Sequence, residues 1–181
     1  MAKLDGSKVV VVGGASGVGF AVAAAALAAG AEVVVGSSQA PRVEAAADKL
    51  GRGATGRAVD VRDETSVAAF FAAVGPFSHL VFTAGDWGHM FGSTRDLDVE
   101  ASKARMEVRF WGAARAAKHA IRQIASDGSI TLTGGMTTFL DYPEMTTVTP
   151  AQLSYIDGYL KTVEDSIYGA NFKHPTTNLP Y

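Results

Sequence analysis

The chain has a glycine-rich segment near its start whose spacing suits phosphate binding. It follows a short apolar run, Lys8–Val12, and leads into an alanine-rich stretch. Glycines at such a point let the chain turn tightly and bring backbone N–H groups close to a pyrophosphate, which the next helix faces with its partly positive N-terminus. The residues predicted to bind a dinucleotide here are Gly13, Ser16, Gly17, Val18 and Gly19. The alternative is a glycine-rich turn that serves packing alone.

The end of the second predicted strand bears on which dinucleotide would bind. A carboxylate at this point contacts the ribose 2′-hydroxyl and selects NAD. The strand predicted over residues 32–36 is instead followed by Ser37 and Ser38, and Arg42 lies at the start of the next helix. Two hydroxyls and a guanidinium suit a 2′-phosphate, so the sequence favours NADP. NAD stays possible, since both serines can be ordinary turn residues.

Strands and helices that could position these residues alternate along the chain. Strands are predicted at residues 8–12, 32–36, 55–59, 79–82 and 129–133, and helices at 18–29, 41–50, 64–74 and 100–125. Helices of this length between strands imply right-handed crossovers and a parallel sheet with helices on both faces. The predicted fold is therefore a Rossmann-like, doubly wound α/β sheet.

Length and composition favour a single domain over residues 1–181 and exclude several classes of function. The chain has 48% hydrophobic and 19% charged residues, which suits a globular core. Its net charge of −2, without a basic run, gives no support for nucleic-acid binding. The lack of cysteine excludes disulfides and thiolate catalysis, and the four histidines have no metal-ligand spacing. A polar N-terminus and the lack of a long apolar run predict a cytoplasmic protein without membrane contact.

The glycine segment resembles the cofactor motif of the short-chain dehydrogenase/reductase family. That motif is T-G-x-x-x-G-x-G, and this chain matches it at Gly13, Gly17 and Gly19, with Val12 in the place of the threonine. The resemblance extends over residues 5–135. It implies an NAD(P)-dependent oxidoreductase that acts on a small carbonyl or alcohol.

Two further motifs of that family occur in the expected order. Asp60 and Val61 follow the third predicted strand, where the family's aspartate contacts the adenine. Phe82-Thr83-Ala84-Gly85 after the fourth resembles the N-N-A-G motif, with both asparagines replaced. The resemblance thus adds Asp60, Val61, Thr83, Ala84 and Gly85 to the predicted cofactor site.

The catalytic residues of the family are mostly replaced. Members that move hydride use Asn, Ser, Tyr and Lys, but here Arg109 stands in the place of Asn and Gly135 in the place of Ser, and no Y-x-x-x-K occurs. Tyr155 is the best candidate for the proton donor, although it also suits an aromatic residue packed on the sheet. Arg109 is predicted to supply positive charge, because a guanidinium does not deprotonate and cannot act as a base.

The last part of the chain differs from the rest. All five tyrosines lie in residues 136–181, where one helix is predicted over about residues 150–168. Family members usually continue through further strands and helices, so the resemblance implies a sheet that is shortened at its C-terminal end. Unless the tail or a second copy covers the open edge at the fifth strand, that edge stays unpaired, and a homo-oligomer is expected.

Three functions are compatible with these residues. The cofactor motifs favour an oxidoreductase with a small-molecule substrate. The missing Ser and Lys favour a dinucleotide-binding protein without reductase activity, such as a sensor. A non-redox lyase or isomerase on the same fold, using tyrosines and His89, is the third. Function depends on site residues rather than on fold, so the sequence leaves all three open.

Overall fold

The apolar runs form five parallel strands in the computed structural model, which describes residues 4–85 and 98–134. The strands are β1 (Lys8–Val12), β2 (Glu32–Ser37), β3 (Ala54–Ala58), β4 (Phe77–Phe82) and β5 (Ile124–Leu132). They pair in the order β3-β2-β1-β4-β5, and every pair is parallel. The chain winds outward from β1 to β3 and then crosses to β4 on the other side of β1. The predicted doubly wound sheet is therefore confirmed.

The helices lie between these strands as the sequence predicts. They are α1 (Gly17–Ala28), α2 (Ala40–Leu50), α3 (Glu64–Val74), α4 (Val99–Met106) and α5 (Gly112–Ala120), with a π-helical segment, Glu107–Trp111, between the last two. The start of α3 is fixed by Asp63, whose carboxylate accepts a hydrogen bond from the Thr65 backbone N–H at 2.9 Å. Its C-terminus is followed by Gly75, which has a positive φ of 66°.

The core lies on both faces of the sheet, because successive side chains of a strand point to opposite sides. Val9 and Val11 of β1 pack in one cluster with Ala23 and Ala26 of α1. Val10 and Val12 pack in the other cluster, which contains buried residues of α3 and α5. All four valines of β1 are buried, which explains why this strand is a continuous apolar run.

Several predicted boundaries differ from the structure, and the largest difference is at the end of the last helix. The helix predicted to reach residue 125 ends at Ala120, and β5 already begins at Ile124. The cause is pairing with β4: Ile124 is in register with Phe77, and the Phe77 N–H donates to the Gln123 carbonyl at 3.2 Å. The register then shifts before the His79–Ser129 pair. Extended pairing has thus overridden a sequence that continues the helical pattern. β2 also runs one residue further than predicted, and β3 begins and ends one residue earlier.

Residues 4–85 and 104–134 belong to one compact unit, and residues 98–103 belong to a second unit. A single domain over the whole chain stays a prediction, and the predicted helix near residues 150–168 lies outside the described residues. In the part of the chain that the structure describes, none of the helices combines the length and the apolar character needed to cross a membrane.

Candidate functional site

Two groups of the predicted cofactor residues lie at the carboxyl ends of β1 and β4, where the strand order reverses. Ligands of doubly wound sheets bind at this switch point, in the crevice outside the strand ends. Here Thr83, which follows β4, donates its backbone N–H to the Val12 carbonyl of β1 at 2.8 Å, and its hydroxyl donates to the same oxygen at 3.2 Å. Two predicted motifs that lie 70 residues apart in sequence are thereby held side by side.

Two glycines let the loop after β1 approach the segment after β4. A Cβ atom on Gly13, which has a φ of 91°, would lie 2.5 Å from the backbone nitrogen of Ala84. A Cβ atom on Gly19 would overlap the carbonyl oxygen of Gly13 and the hydroxyl of Thr83. The spacing between these glycines is therefore a steric requirement of the junction between the two segments.

The remaining glycine of the motif, Gly17, has a different environment. Gly17 has a φ of 54°, and no atom of the described residues would lie within 4 Å of a Cβ there. Just before it, Ser16 is the N-cap of α1 in extended conformation, and within the described part of the chain its side chain makes no capping hydrogen bond. The side chain of Val18, one residue further, is 63% exposed.

These features fit the pyrophosphate of a dinucleotide. The first N–H groups of a helix have no intrahelical acceptor, and Ser16 leaves those of α1 without a side-chain acceptor. The helix dipole adds partial positive charge at the same place. The described residues leave the space at Gly17 open, with room for an anion to reach these donors.

The residues predicted to select the dinucleotide follow the neighbouring strand. The Gly36 carbonyl accepts hydrogen bonds from the N–H groups of Gly13 at 2.8 Å and Gly14 at 3.2 Å, which joins β2 to the glycine loop. Ser37 ends β2, and the next residue, Ser38, is exposed. Arg42 is exposed in the first turn of α2. Ser37 thus directly follows the residue that binds the glycine loop, and the roles of Ser37, Ser38 and Arg42 in dinucleotide selection stay predictions.

Asp60 lies after β3, and its carboxylate is held by Arg62. Oδ1 accepts from the Arg62 backbone N–H at 3.0 Å and from Nε at 2.9 Å, while Oδ2 accepts from Nη2 at 2.8 Å. The Asp60 backbone N–H donates to the Ser66 hydroxyl at 3.0 Å. The hydrogen bonds from Arg62 hold the pKa of the Asp60 carboxyl below its usual value, so this group is an ionised acceptor.

Val61 is held in place by contacts with α5. It is buried, and a Cβ atom on Gly112 would lie 2.8 Å from its Cγ2. Its carbonyl accepts a hydrogen bond from Arg115 Nη1 at 3.2 Å, while Nη2 of the same arginine binds Glu107 in the π-helical segment. Arg115 therefore ties the loop that holds Asp60 to the segment that holds Arg109.

Arg109 lies beside the end of β4. Its Nε, Cζ and Nη2 atoms would each be 3.3 Å from a Cβ atom on Gly85, so the guanidinium covers that glycine. The π-helical segment that carries it is closed by a hydrogen bond from the Gly112 N–H to the Glu107 carbonyl, and such segments are frequent at functional sites. The structure thus brings Arg109 beside Gly85, which follows β4 next to the segment that contacts the glycine loop.

Sequence reasoning missed three residues that hold this site together: Arg62, Ser66 and Arg115. An Asp followed by Arg two residues later is a local signal that would have suggested the Arg62 contact. No spacing rule would have suggested Arg115, because its contact with Val61 spans 54 residues.

The predicted proton donor, Tyr155, lies outside the described residues, as do Gly135 and His89. Among the residues that are described, no group of three or more His, Asp or Glu side chains is arranged to hold a metal ion. The described part of the site therefore consists of the residues predicted to bind the nucleotide, together with Arg109.

The chain is similar to known dehydrogenases and reductases. A family model for short chain dehydrogenases matches residues 7–149. The "Short-chain dehydrogenase/reductase fsr5" of Gibberella fujikuroi is 31% identical over 155 residues, which are 76% of this chain and 58% of that protein. The "Cis-4-hydroxycyclohexanecarboxylate dehydrogenase" of Sinomonas cyclohexanicum is 36% identical over 126 residues, 66% of this chain and 50% of that protein.

A solved structure supports the fold. The short-chain type dehydrogenase/reductase from Mycobacterium ulcerans superposes with a TM-score of 0.81 at 22% identity, covering 92% of this chain and 64% of that one. At this identity the likeness concerns the fold alone. The chain spans only 58% and 50% of the lengths of the two curated relatives.

Proposed function

The chain belongs to the short-chain dehydrogenase/reductase family, and on this basis we propose that it is an NADP-dependent oxidoreductase acting on a small carbonyl or alcohol. The observation that carries the proposal is the junction at the switch point. There Gly13 and Gly19 pack against the segment after β4, while Gly17 is left facing open space at an uncapped helix N-terminus. This is the arrangement that a pyrophosphate needs.

In this proposal each part of the described edge binds one part of the dinucleotide. Ser16, Gly17, Val18 and Gly19 bind the pyrophosphate through backbone N–H groups. The adenosine end extends past β2 towards β3, where Asp60 is the acceptor for the adenine. Binding of NADP is favoured over NAD because the residues after β2 are serines with a nearby arginine, and an acid at that point would repel the 2′-phosphate.

The chemistry would combine the bound dinucleotide with two side chains. The dinucleotide supplies the hydride for reduction, or accepts it in the opposite direction. Tyr155 gives its hydroxyl proton to the carbonyl oxygen in reduction and takes it back in oxidation. Arg109, fixed over Gly85, contributes a permanent positive charge that stabilises negative charge developing on the substrate oxygen.

The name of one relative supports an alcohol as the substrate class. The protein from Sinomonas cyclohexanicum is named for oxidation of a hydroxylated cyclohexane ring that bears a carboxylate. We extend only the hydroxyl or carbonyl group of that substrate to this chain, as part of the proposal.

The experiment is a hydride-exchange assay on a panel of aldehydes, ketones and secondary alcohols. Consumption or formation of the reduced nicotinamide is followed by its absorbance, in the wild type and in Tyr155→Phe. We expect turnover that Tyr155→Phe lowers by about 10²-fold or more, the usual range for loss of a general acid. Nucleotide binding without turnover on any member of the panel would contradict the oxidoreductase.

A dinucleotide-binding protein without reductase activity is the second candidate. It is favoured by one specific observation: the sequence has Gly135 where the family has Ser and contains no Y-x-x-x-K. Binding without hydride exchange would support it. Turnover of a non-redox substrate by the same preparation would instead support a lyase or isomerase.

The proposal includes a homo-oligomer in the cytoplasm. In the sheet formed by the described residues, β5 is an edge strand whose outer backbone groups have no neighbouring strand. Pairing with a second copy is one way to cover such an edge. Light scattering on the purified full chain would test this, and a monomer at micromolar concentration would contradict it.

A further inference from the structure

We propose that Arg62 is a positioning residue for the adenine end of the site: it fixes the Asp60 carboxylate so that Oδ2 accepts a hydrogen bond from the 6-amino group of adenine. The inference rests on the proposed dinucleotide binding. It adds one residue, Arg62, which lies outside the family motifs matched by the sequence, to the Asp60–adenine contact that the resemblance implies.

The contact between the two side chains has the geometry of a bidentate fork. Nε and Nη2 of Arg62 donate to the two carboxylate oxygens of Asp60 at 2.9 and 2.8 Å, and the Arg62 backbone N–H adds a third bond at 3.0 Å. Two parallel bonds from a planar guanidinium fix the plane of a carboxylate. A carboxylate that made only one bond would be free to rotate about its last torsion.

The division of these bonds leaves one oxygen available. Oδ1 accepts from both the backbone N–H and Nε of Arg62, whereas Oδ2 accepts, among the residues that the structure describes, only from Nη2. Each carboxylate oxygen has two lone-pair sites, so Oδ2 retains one acceptor site. The Asp60 side chain is 37% exposed, so solvent and ligands can reach the carboxylate.

The backbone around Asp60 is fixed from three directions. The Val59 N–H donates to the Ser37 carbonyl at the end of β2 at 2.9 Å. The Asp60 N–H donates to Ser66 of α3, and the Val61 carbonyl accepts from Arg115 of α5. With the main chain held in this way, the direction of the carboxylate depends on Arg62 alone among these contacts.

The chemistry distinguishes adenine from hypoxanthine. An ionised carboxylate only accepts hydrogen bonds, so it favours the 6-amino donor of adenine and repels the 6-oxo acceptor of hypoxanthine. Arg62 also holds the pKa of Asp60 below its usual value, which keeps the carboxylate ionised near neutral pH. Because the pair carries no net charge, it can lie beside a dinucleotide without repelling its phosphates.

The test compares the adenine dinucleotide with its hypoxanthine analogue at pH 7. Dissociation constants are measured by calorimetry on the wild type, Arg62→Gln and Arg62→Lys. The matched control is Arg57→Gln, which removes an exposed positive charge from the neighbouring β3. We expect the wild type and the control to prefer the adenine form about tenfold or more. The preference should fall to about threefold or less in Arg62→Gln and be intermediate in Arg62→Lys, which cannot form the fork.

The ratio of the two affinities separates positioning from a general loss of structure, which would weaken both dinucleotides equally. An unchanged preference in Arg62→Gln would overturn the inference, and so would a wild type with no preference for adenine. Failure of the wild type to bind either form would overturn the proposed function together with the inference. If the wild type binds strongly and its preference for adenine is the same in the Arg62 variants, the inference alone is overturned.

Discussion

Gly13 and Ala84 are packed so closely that a Cβ atom on Gly13 would lie 2.5 Å from the Ala84 backbone nitrogen. The two residues follow β1 and β4, neighbouring strands that run parallel in register. They lie at the point where a doubly wound sheet reverses its strand order and forms its binding crevice. Because Gly13 has no side chain, the loop after β1 can pack against the segment after β4, and this contact shapes the candidate site.

Gly13→Ala is predicted to destabilise the fold more than Gly17→Ala. Both positions have positive φ, which costs an alanine about 1–2 kcal/mol, but only at Gly13 would the methyl group also overlap neighbouring backbone. Overpacking adds about 1–3 kcal/mol. Urea denaturation of both variants measures the free energies of unfolding. Equal losses in the two variants would contradict the close packing against Ala84.

Ser37→Asp is predicted to reverse the preference between dinucleotides. A carboxylate at the end of β2 would repel the 2′-phosphate of NADPH and accept a hydrogen bond from the ribose 2′-hydroxyl of NADH. We expect the affinity for NADPH to fall by about tenfold or more while that for NADH is kept or improved. Calorimetric titration with both nucleotides measures this. If both affinities changed in the same way, the ribose 2′-position of the dinucleotide would not lie next to residue 37.

Glu64 is predicted to make the stability of the fold depend on pH in the acid range. Hydrogen bonds from Lys118 and His119 lower its pKa from 4.5 to about 2. A carboxyl with a lowered folded-state pKa stabilises the fold above its unfolded pKa, and this contribution is lost as pH falls through the folded value. The difference in unfolding free energy between the wild type and Glu64→Gln should therefore shrink as pH falls from 4.5 towards 2.

Lys118→Met is the control for the pH dependence of the Glu64→Gln effect. It removes the hydrogen bond that lowers the pKa of Glu64 most. In this background, the pH-dependent part of the Glu64→Gln effect should be reduced. Urea denaturation at several pH values measures all four proteins. An effect of Glu64→Gln that does not vary with pH would refute the assigned cause.

Arg115→Met is predicted to lower the free energy of unfolding by about 1–2 kcal/mol, because hydrogen bonds to charged groups contribute this much when partly shielded from water. The Arg115 side chain is 22% exposed and joins the Val61 carbonyl to Glu107. Arg122→Met is the matched control, since Arg122 is exposed in the turn before β5. Surface changes of that kind cost less than about 0.5 kcal/mol. A similar loss in both variants, measured by denaturation, would argue against the bridge.

The sequence predicts those elements best whose signals are local. The bounds of β1 (Lys8–Val12) and α3 (Glu64–Val74) are confirmed at both ends, since one is a buried valine run and the other has an N-cap and a terminal glycine. The end of α5 depends on the pairing of Ile124 with Phe77, a contact 47 residues away in sequence. A helical periodicity alone cannot foresee that competition.

In the candidate site too, the residues in local motifs were predicted and those that depend on long-range contacts were not. The motif residues after β1, β3 and β4 lie at the edge where parallel strands require them to lie, and Arg109 is next to Gly85. The residues that brace them were missed, because the partners of Arg62 and Arg115 depend on how loops and helices meet in three dimensions. The roles assigned to the motif residues in cofactor binding stay predictions.

The most direct test of dinucleotide binding is calorimetric titration of the wild type, Ser16→Asp and Ala24→Asp with NADPH. Aspartate is as good an N-cap as serine and suits the helix dipole, so Ser16→Asp should fold as stably as the wild type. Its carboxylate would nevertheless lie where we propose that the pyrophosphate binds. Ala24→Asp adds the same charge at an exposed position further along α1.

We expect micromolar binding, about −8 kcal/mol, by the wild type and by Ala24→Asp. In Ser16→Asp, the affinity should be lower by about tenfold or more while the melting temperature is unchanged. A wild type that binds neither NADPH nor NADH, or a Ser16→Asp variant that binds as the wild type does, would contradict the assignment of the glycine loop as a dinucleotide site.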